Sequence, residues 1–408
     1  MNVSQIRDIC QTWPTPLYVY DSGEFASNFN RLTAAYKHYY PSFRIAYSFK
    51  TNYTPAICRQ VLELGGLAEV VSGMEYRHAR NIGFQPEQII VNGPAKWGHM
   101  PAMLAEGALV MLDNAEELNR AIELAPSLAK PARIGFRLNF PIAGGKNSRF
   151  GFDAEAPQTA EAIALARSTE NLCIEGIHFH LSGARSLDAW KLRAEKMIGY
   201  AETLLLPHER KVIDLGSGMF GNMESSFAQQ FGQEIPSFED YGAGVAGIFA
   251  RHYASLPQAQ RPTLIVEPGT TLVANTMSYL TRVLAVKTIR NRNIAMVDGS
   301  AHQAGELCKK KRLPMCVIAC DQPQQRLSPI EITGYTCLED DILYPDCGTP
   351  VGKDDIIHIR NVGSYSNVLA PPFIQEGCGM VELDKDGNTR LIKKAQSVQE
   401  LFSTYIFK

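Results

Sequence analysis

The sequence predicts an α/β chain: an eight-stranded parallel (β/α)8 barrel followed by an all-β barrel-like or sandwich domain. Three observations predict it. From about residue 15 to 270, short apolar runs alternate with longer amphipathic stretches, as β-then-α units must. Eight such units follow one another, more than an open doubly wound sheet ordinarily strings together. After about residue 270 the long helical stretches drop out and strand-like runs remain.

In order, the barrel strands are expected at 43–49, 67–72, 88–92, 108–113, 132–139, 173–180, 211–216 and 263–269. Between them lie helix-like stretches such as TPAICRQVLELGG, GMEYRHARNIG and NAEELNRAIELA. The last follows Asp113 and Asn114, either of which can cap a helix by accepting its first backbone N–H groups. Polar residues with chemical uses fall at the C-terminal strand ends: Lys50, Ser72, Asn92, Arg137, His180, Gly216 and Glu267. Barrels of this kind build their sites on that rim. The β domain begins with MSYLTRVLAVKTI and continues through NIAMVDG, MCVIA, SPIEITGYTC, DIIHIRNVGS and MVELD. An opening strand at 15–21, set off by Pro14 and Pro16, is placed with it. The expected domains are thus 22–270, the barrel, and 1–21 plus 271–408, the β domain.

Lys and Arg number 40 against 42 Asp and Glu, a formal net charge of −2. That balance calls for neither nucleic acid nor an anionic membrane as partner, and the basic run Lys309 to Arg312 reads as a solvated loop. No run nears the roughly 18 apolar residues of a membrane span, and the N-terminus lacks the apolar core of a secretory signal. Nine scattered cysteines without a C-x-x-C pair fit neither a zinc knuckle nor a disulfide framework. A cytoplasmic location is expected.

Lys50 closes an otherwise apolar strand. It is either a rim lysine whose amine reaches water or a desolvated amine suited to a Schiff base. The turn Gly216-Ser217-Gly218 after the seventh strand is either a tight turn or a cradle of N–H groups for a phosphate. Glu267 ends the eighth strand, where it could form a salt bridge or keep a pyridinium nitrogen protonated. His178 and His180 share a strand side, but no nearby carboxylate or thiol completes a ligand set, so no metal is expected. Cys337, in Gly334-Tyr335-Thr336-Cys337, and Tyr365, in Gly363-Ser364-Tyr365, are indecisive alone.

The ordered set is specific: Lys50 after strand one, H-x-H-L-S-G after six and Gly-Ser-Gly after seven, then Glu-Pro-Gly after eight, G-Y-T-C and G-S-Y. It resembles the fold type III pyridoxal-phosphate decarboxylases, the group of diaminopimelate, ornithine and arginine decarboxylases, over about residues 15 to 385. The resemblance implies a TIM-like barrel with an alanine-racemase-like β domain that contributes active-site and dimer residues. It implies pyridoxal 5'-phosphate as cofactor and a homodimer with shared sites. Lys50 would carry the cofactor as a Schiff base, His180 would stack on its ring, and Glu267 would pair with the ring nitrogen. Gly216, Ser217 and Gly218 would hold the phosphate through backbone N–H groups, helped by Tyr365, with Arg137, Gly269 and Thr270 beside the cofactor. Cys337, from the partner subunit, would help protonate the decarboxylated carbon.

The sequence also departs from the family. Leu338 stands where an acid usually follows the cysteine to receive the distal amine of the substrate, and an apolar side chain cannot pair an ammonium. Thr270 replaces the usual arginine after Glu-Pro-Gly. Ala370-Pro371-Pro372-Phe373 stands where diaminopimelate decarboxylases place Ser-Arg-Pro. The substrate is therefore expected to be neither plain ornithine, lysine nor diaminopimelate. A conjugated amino acid from siderophore or natural-product assembly is expected instead, met by Arg149, Leu338 and Asp341, with Lys146 beside Arg149. Alternatives are a racemase of the same fold and a catalytically silent regulatory homologue.

Overall fold

The computed structural model describes residues 1–142, 148–322 and 324–407. The chain divides into two units. One comprises residues 26–221 and 233–271, and the other residues 1–25, 222–232 and those from 272 onward.

The first unit is the barrel. Its parallel strands are Phe43–Ser48, Leu67–Val70, Ile89–Val91, Leu109–Leu112, Ala132–Asn139, Leu172–His178, Val212–Asp214 and Thr263–Val266. Each pairs with the next. The eighth returns to the first through Leu264 opposite Phe43 and Val266 opposite Ile45, which closes the sheet and leaves it no edge. All eight expected strands are present. Seven of the expected C-terminal ends ran one to three residues long, where the run continues into the rim loop, and that of Ala132–Asn139 coincides. Ala46, Leu67, Ile90, Leu109, Met111, Val212 and Ile265 form a core cluster from six of these strands.

Several of the helices begin where short polar side chains can take up orphan N–H groups. Ser72 accepts from Glu75 to start Gly73–Ile82. Of the two possible caps before Ala115–Leu124, Asn114 does the work, accepting from Glu117.

The second unit is mostly sheet. Its long strand Met277–Ile289 pairs antiparallel with Arg292–Val297 and with Ile356–Arg360. The N-terminal strand Leu17–Asp21 lies between that long strand, antiparallel, and Gly379–Leu383, parallel. Two strands were not expected. Ile342–Cys347 contains Pro345 and Asp346, and Thr389–Lys393 is a mostly polar strand at the end of the sheet. The opening helix Val3–Thr12 was also missed. It starts from a reciprocal Asn2–Gln5 cap and lays Ile6, Ile9 and Cys10 on Leu17, Val19 and Leu280. Burying each isoleucine stabilises that contact by about 1.5–3 kcal/mol. Among the described residues, no helix is long and apolar enough to cross a membrane.

Candidate active site

At the C-terminal end of the first barrel strand the chain enters a one-turn helix, Phe49–Thr51. Its flanking Phe49 and Thr51 are buried, which leaves Lys50 at the rim with a side chain 30% exposed. The Lys50 Nζ lies 2.6 Å from Glu69 Oε2 and 2.7 Å from Ser48 Oγ, and Ser48 donates to that same carboxylate oxygen. Glu69 sits inside the second strand and is wholly buried. The Asn92 amide, past the third strand, donates to Glu69 Oε1 at 3.2 Å and also to Glu267 Oε1. Glu267 in turn faces His178 Nε2 at 3.3 Å and His180 Nδ1 at 3.7 Å. An unbroken polar row, Lys50–Glu69–Asn92–Glu267–His178, therefore crosses the barrel mouth.

The charges in this row are sorted by environment. Burial alone would raise the Glu267 carboxyl, but His178, with help from Lys50, holds it well below the usual carboxylate range. Asp214, the last residue of the seventh strand, goes the other way. Burial, then the neighbouring Glu267 charge, push its carboxyl far up, because two buried carboxylates side by side cannot both ionise. Asp214 Oδ1 accepts the Gly216 N–H at 2.8 Å. Burial lowers the His180 imidazole to about 4 against the pull of Glu267. The Ser217 N–H donates to His180 Nδ1 at 3.2 Å, so the ring proton of the neutral form belongs on Nε2.

Spacing along the chain misjudged the H-x-H pair. Asp214 and Glu267, from the seventh and eighth strands, bring carboxylates to His178, with ligand atoms all within 4.8 Å of one another. A sequence cannot show such cross-barrel neighbours. Within this cluster, His178 Nε2 is spent on Glu267 and Asp214 Oδ1 on a backbone N–H.

The glycine turn is built for close approach. Gly216 and Gly218 have φ of 61° and 104°, and a Cβ on them would lie 2.4 Å from the Phe179 carbonyl and 2.7 Å from that of Leu181. Two of the three expected phosphate donors are already engaged, Gly216 with Asp214 and Ser217 with His180. The expectation that Gly216 offers its N–H outward is therefore corrected: its N–H points to Asp214, and its part is to shape the turn. Gly269 packs against the turn that carries Lys50, where a Cβ would meet Thr51 Oγ1 at 2.0 Å, and Thr270 opens the short helix Thr270–Val273.

Arg137, on the fifth strand, reaches Asp113 at 3.5 Å and lies over the Phe150 ring at 4.7 Å. The exposed Arg149 lies over the same ring at 4.1 Å. Lys146 falls outside the described residues.

In the β unit, Cys337 is exposed and Leu338 is 39% exposed. Asp341 corrects an expectation. It is buried, and its two oxygens accept from Ser300 Oγ, the Ala301 N–H, the Thr336 N–H and Thr336 Oγ1. With its lone pairs so occupied it fastens the Gly334–Cys337 turn instead of meeting a ligand. Tyr365 has φ of 53°, strained for a bulky residue. Gly363 ahead of it could bear no side chain, since a Cβ would sit 1.8 Å from the Val273 carbonyl.

Sequence reasoning placed Asn92 on the rim without a role and missed Glu69 and Arg193. A lone acid within the apolar run LAEVVS was the available signal for Glu69. Arg193, on the helix Leu187–Leu204, gave none.

A family model described as "Pyridoxal-dependent decarboxylase, pyridoxal binding domain" matches residues 26–274. A diaminopimelate decarboxylase of Aquifex aeolicus is 24% identical over 96% of this chain and 92% of its own. One from Helicobacter pylori is 26% identical over 97% and 96%. The solved diaminopimelate decarboxylase from M. jannaschii superposes with a TM-score of 0.83 at 24% identity, covering 98% of this chain and 94% of that one. A lysine/ornithine decarboxylase from Vibrio vulnificus, complexed with cadaverine, gives 0.73 at 19% identity over 91% and 95%. At these identities the two structural matches speak for the fold.

Proposed function

The chain belongs to the pyridoxal-dependent decarboxylase family, and from that premise we propose that it uses Lys50 and pyridoxal 5'-phosphate to decarboxylate an amino acid or amino-acid conjugate to its amine. The observation that carries the reading is the polar row at the barrel mouth, with an amine at one end and a buried anion at the other. The residues fit the cofactor. Lys50 offers a primary amine at the rim, and Glu267 an anion for the ring nitrogen. His180 offers a neutral imidazole beside them, and the Gly216–Gly218 turn a backbone in which neither glycine has room for a Cβ. Bound pyridoxal phosphate supplies a sink for the electron pair left on Cα when the carboxylate departs.

The chain's own groups then have separate tasks. Glu267, kept anionic, holds a proton at the ring nitrogen. Lys50 must shed its ammonium proton to become nucleophilic, and Glu69 is the carboxylate in reach at 2.6 Å. His180, with the proton on Nε2, would lie against the cofactor ring once it is bound. Cys337, an exposed thiol, would supply a proton to Cα from the partner subunit of a homodimer with shared sites, and Tyr365 would offer a hydroxyl to the phosphate. The nine cysteines are all free thiols, in keeping with a reducing cytoplasm.

The substrate reading rests on the residue after Cys337. Leu338 offers no charge to a distal ammonium, and Asp341 is turned inward. The relatives named diaminopimelate decarboxylase set the competing possibility. The reading favours a conjugated amino acid of siderophore or natural-product type, its acidic substituent facing the exposed Arg149. The test is CO2 release from a panel holding diaminopimelate, lysine, ornithine and acidic conjugates, with Lys50→Ala as the blank. Release from conjugates alone supports the reading. Efficient turnover of diaminopimelate overturns the substrate while leaving the family intact.

A further inference from the structure

We infer that Arg193 is a positioning residue for an anion on the glycine turn, holding the turn from behind and facing the anion with positive charge through one layer of peptide. The inference rests on the reading that Gly216–Gly218 receives the cofactor phosphate. Arg193 lies on the helix Leu187–Leu204 and has no exposed surface. Its Nη1 donates to the carbonyls of Leu215 at 3.0 Å and Ser217 at 2.9 Å, and its Nη2 to those of Leu181 at 3.0 Å and Ala184 at 3.4 Å. One guanidinium thus ties together the loops that follow the sixth and seventh strands. The Trp190 and Phe179 rings lie 4.2 Å and 5.3 Å from its central carbon and fix the plane of the fork.

Two consequences meet at the turn. A trans peptide sets its C=O and N–H on opposite sides. Drawing the Ser217 carbonyl toward Arg193 therefore aims the Gly218 N–H away from the helix. Of the turn's three N–H groups, that of Gly218 is the one without a partner among the described residues. The second consequence is electrostatic. All four partners of Arg193 are neutral carbonyls, and among the described residues no carboxylate pairs with it. Burial lowers the guanidinium to about 9, so it stays cationic at neutral pH. Glu267 acts on it through space, without contact; a buried cation with no carboxylate paired to it is costly, and a doubly charged anion on the far side of the turn offsets that cost. Donor direction and charge point to the same ligand chemistry, a phosphate ester.

The test compares pyridoxal phosphate with pyridoxal, which lacks only the phosphate, by equilibrium dialysis against the apoprotein. Wild type should prefer the phosphate ester. Arg193→Met should weaken pyridoxal phosphate binding by about tenfold or more, the scale of one lost charge-assisted interaction, and leave pyridoxal within about twofold. Arg193→Lys, which keeps the charge and loses the fork, should fall between. The 31P resonance of the bound ester should stay that of the dianion in wild type and titrate with pH in Arg193→Met. Equal loss of both ligands, or of neither, overturns the inference and makes Arg193 a packing residue. If Arg193→Met does not fold, Arg193→Lys decides, and an unchanged preference overturns it. No preference in wild type instead sinks the phosphate placement itself, a separable outcome.

Discussion

Glu267→Gln separates the charge at the barrel mouth from its shape. The substitution keeps volume and one acceptor, so Asn92 retains its partner. His178 would then meet an amide NH2 where it now meets a carboxylate oxygen at 3.3 Å. It can answer by accepting at Nε2 and moving its proton to Nδ1, which has no partner among the described residues. The exchange leaves the number of orphaned groups unchanged, so stability should shift by no more than about 1 kcal/mol. Removing a buried charge also relieves Asp214, whose carboxyl is pushed up in part by Glu267. Catalysis should behave differently. A charge aimed at the developing electron density and shielded from water is worth about 3–4 kcal/mol, so kcat should fall by roughly 10²–10³ with KM little changed. Steady-state CO2 release and a thermal melt on the same preparation provide the comparison. A kcat within about threefold of wild type would refute the assignment of Glu267 to the ring nitrogen. A collapsed melt would mean that the carboxylate serves the fold first.

Three further outcomes are expected. Lys96 and Glu117 form a fully buried pair at 2.6 Å, and Lys96→Met, which strands the carboxylate, should cost about 3–5 kcal/mol in chemical denaturation, with much of it restored by adding Glu117→Gln. His180 at about 4 and His358 at about 3 lie below their ordinary 6.5, so the unfolded chain takes up protons first as pH falls. Their contribution is therefore full above pH 6.5 and is lost as pH drops from 6.5 toward 4 and below; His358→Gln should flatten that part of a pH–stability curve, and an unaltered curve would contradict the sign. Leu338→Glu should raise turnover of plain diamino acids by about tenfold or more if this position receives the distal amine; no gain would move that recognition elsewhere.

The barrel could be read from the sequence because each strand is a short apolar run bounded by rim residues, a signal that survives without any tertiary information. The same logic singled out Lys50, His180 and Glu267, which interrupt apolar runs at strand ends. It failed where a residue's role depends on which way it faces. Asp341 follows Glu339 and Asp340 and looks like one more surface acid, yet four donors converge on it. Glu69 looks like a flaw in a strand until Lys50 and Asn92 close on it from neighbouring strands. Arg193 is one basic residue on a helix that carries several, and only packing under the glycine turn distinguishes it. The strand Ile342–Cys347 was hidden by its own proline, which the sheet accommodates.

The placement of Leu17–Asp21 between two late strands sets a timetable for synthesis. Leu17 has to wait for Leu280 on one side and Gly379 on the other. At about 5–20 residues per second, the ribosome delivers the second of these roughly 20–70 s after the first strand emerges. Until Met277–Ile289 is made, the run Leu17-Tyr18-Val19-Tyr20, buried in the finished protein, has neither neighbour, and until Gly379 appears it lacks the second. The barrel's own strands have all been made before Gly379 appears, so it can close while the amino-terminal strand is still unpaired. A nascent chain stalled before residue 379 should accordingly bind holdase chaperones near its start, and one released at full length should not.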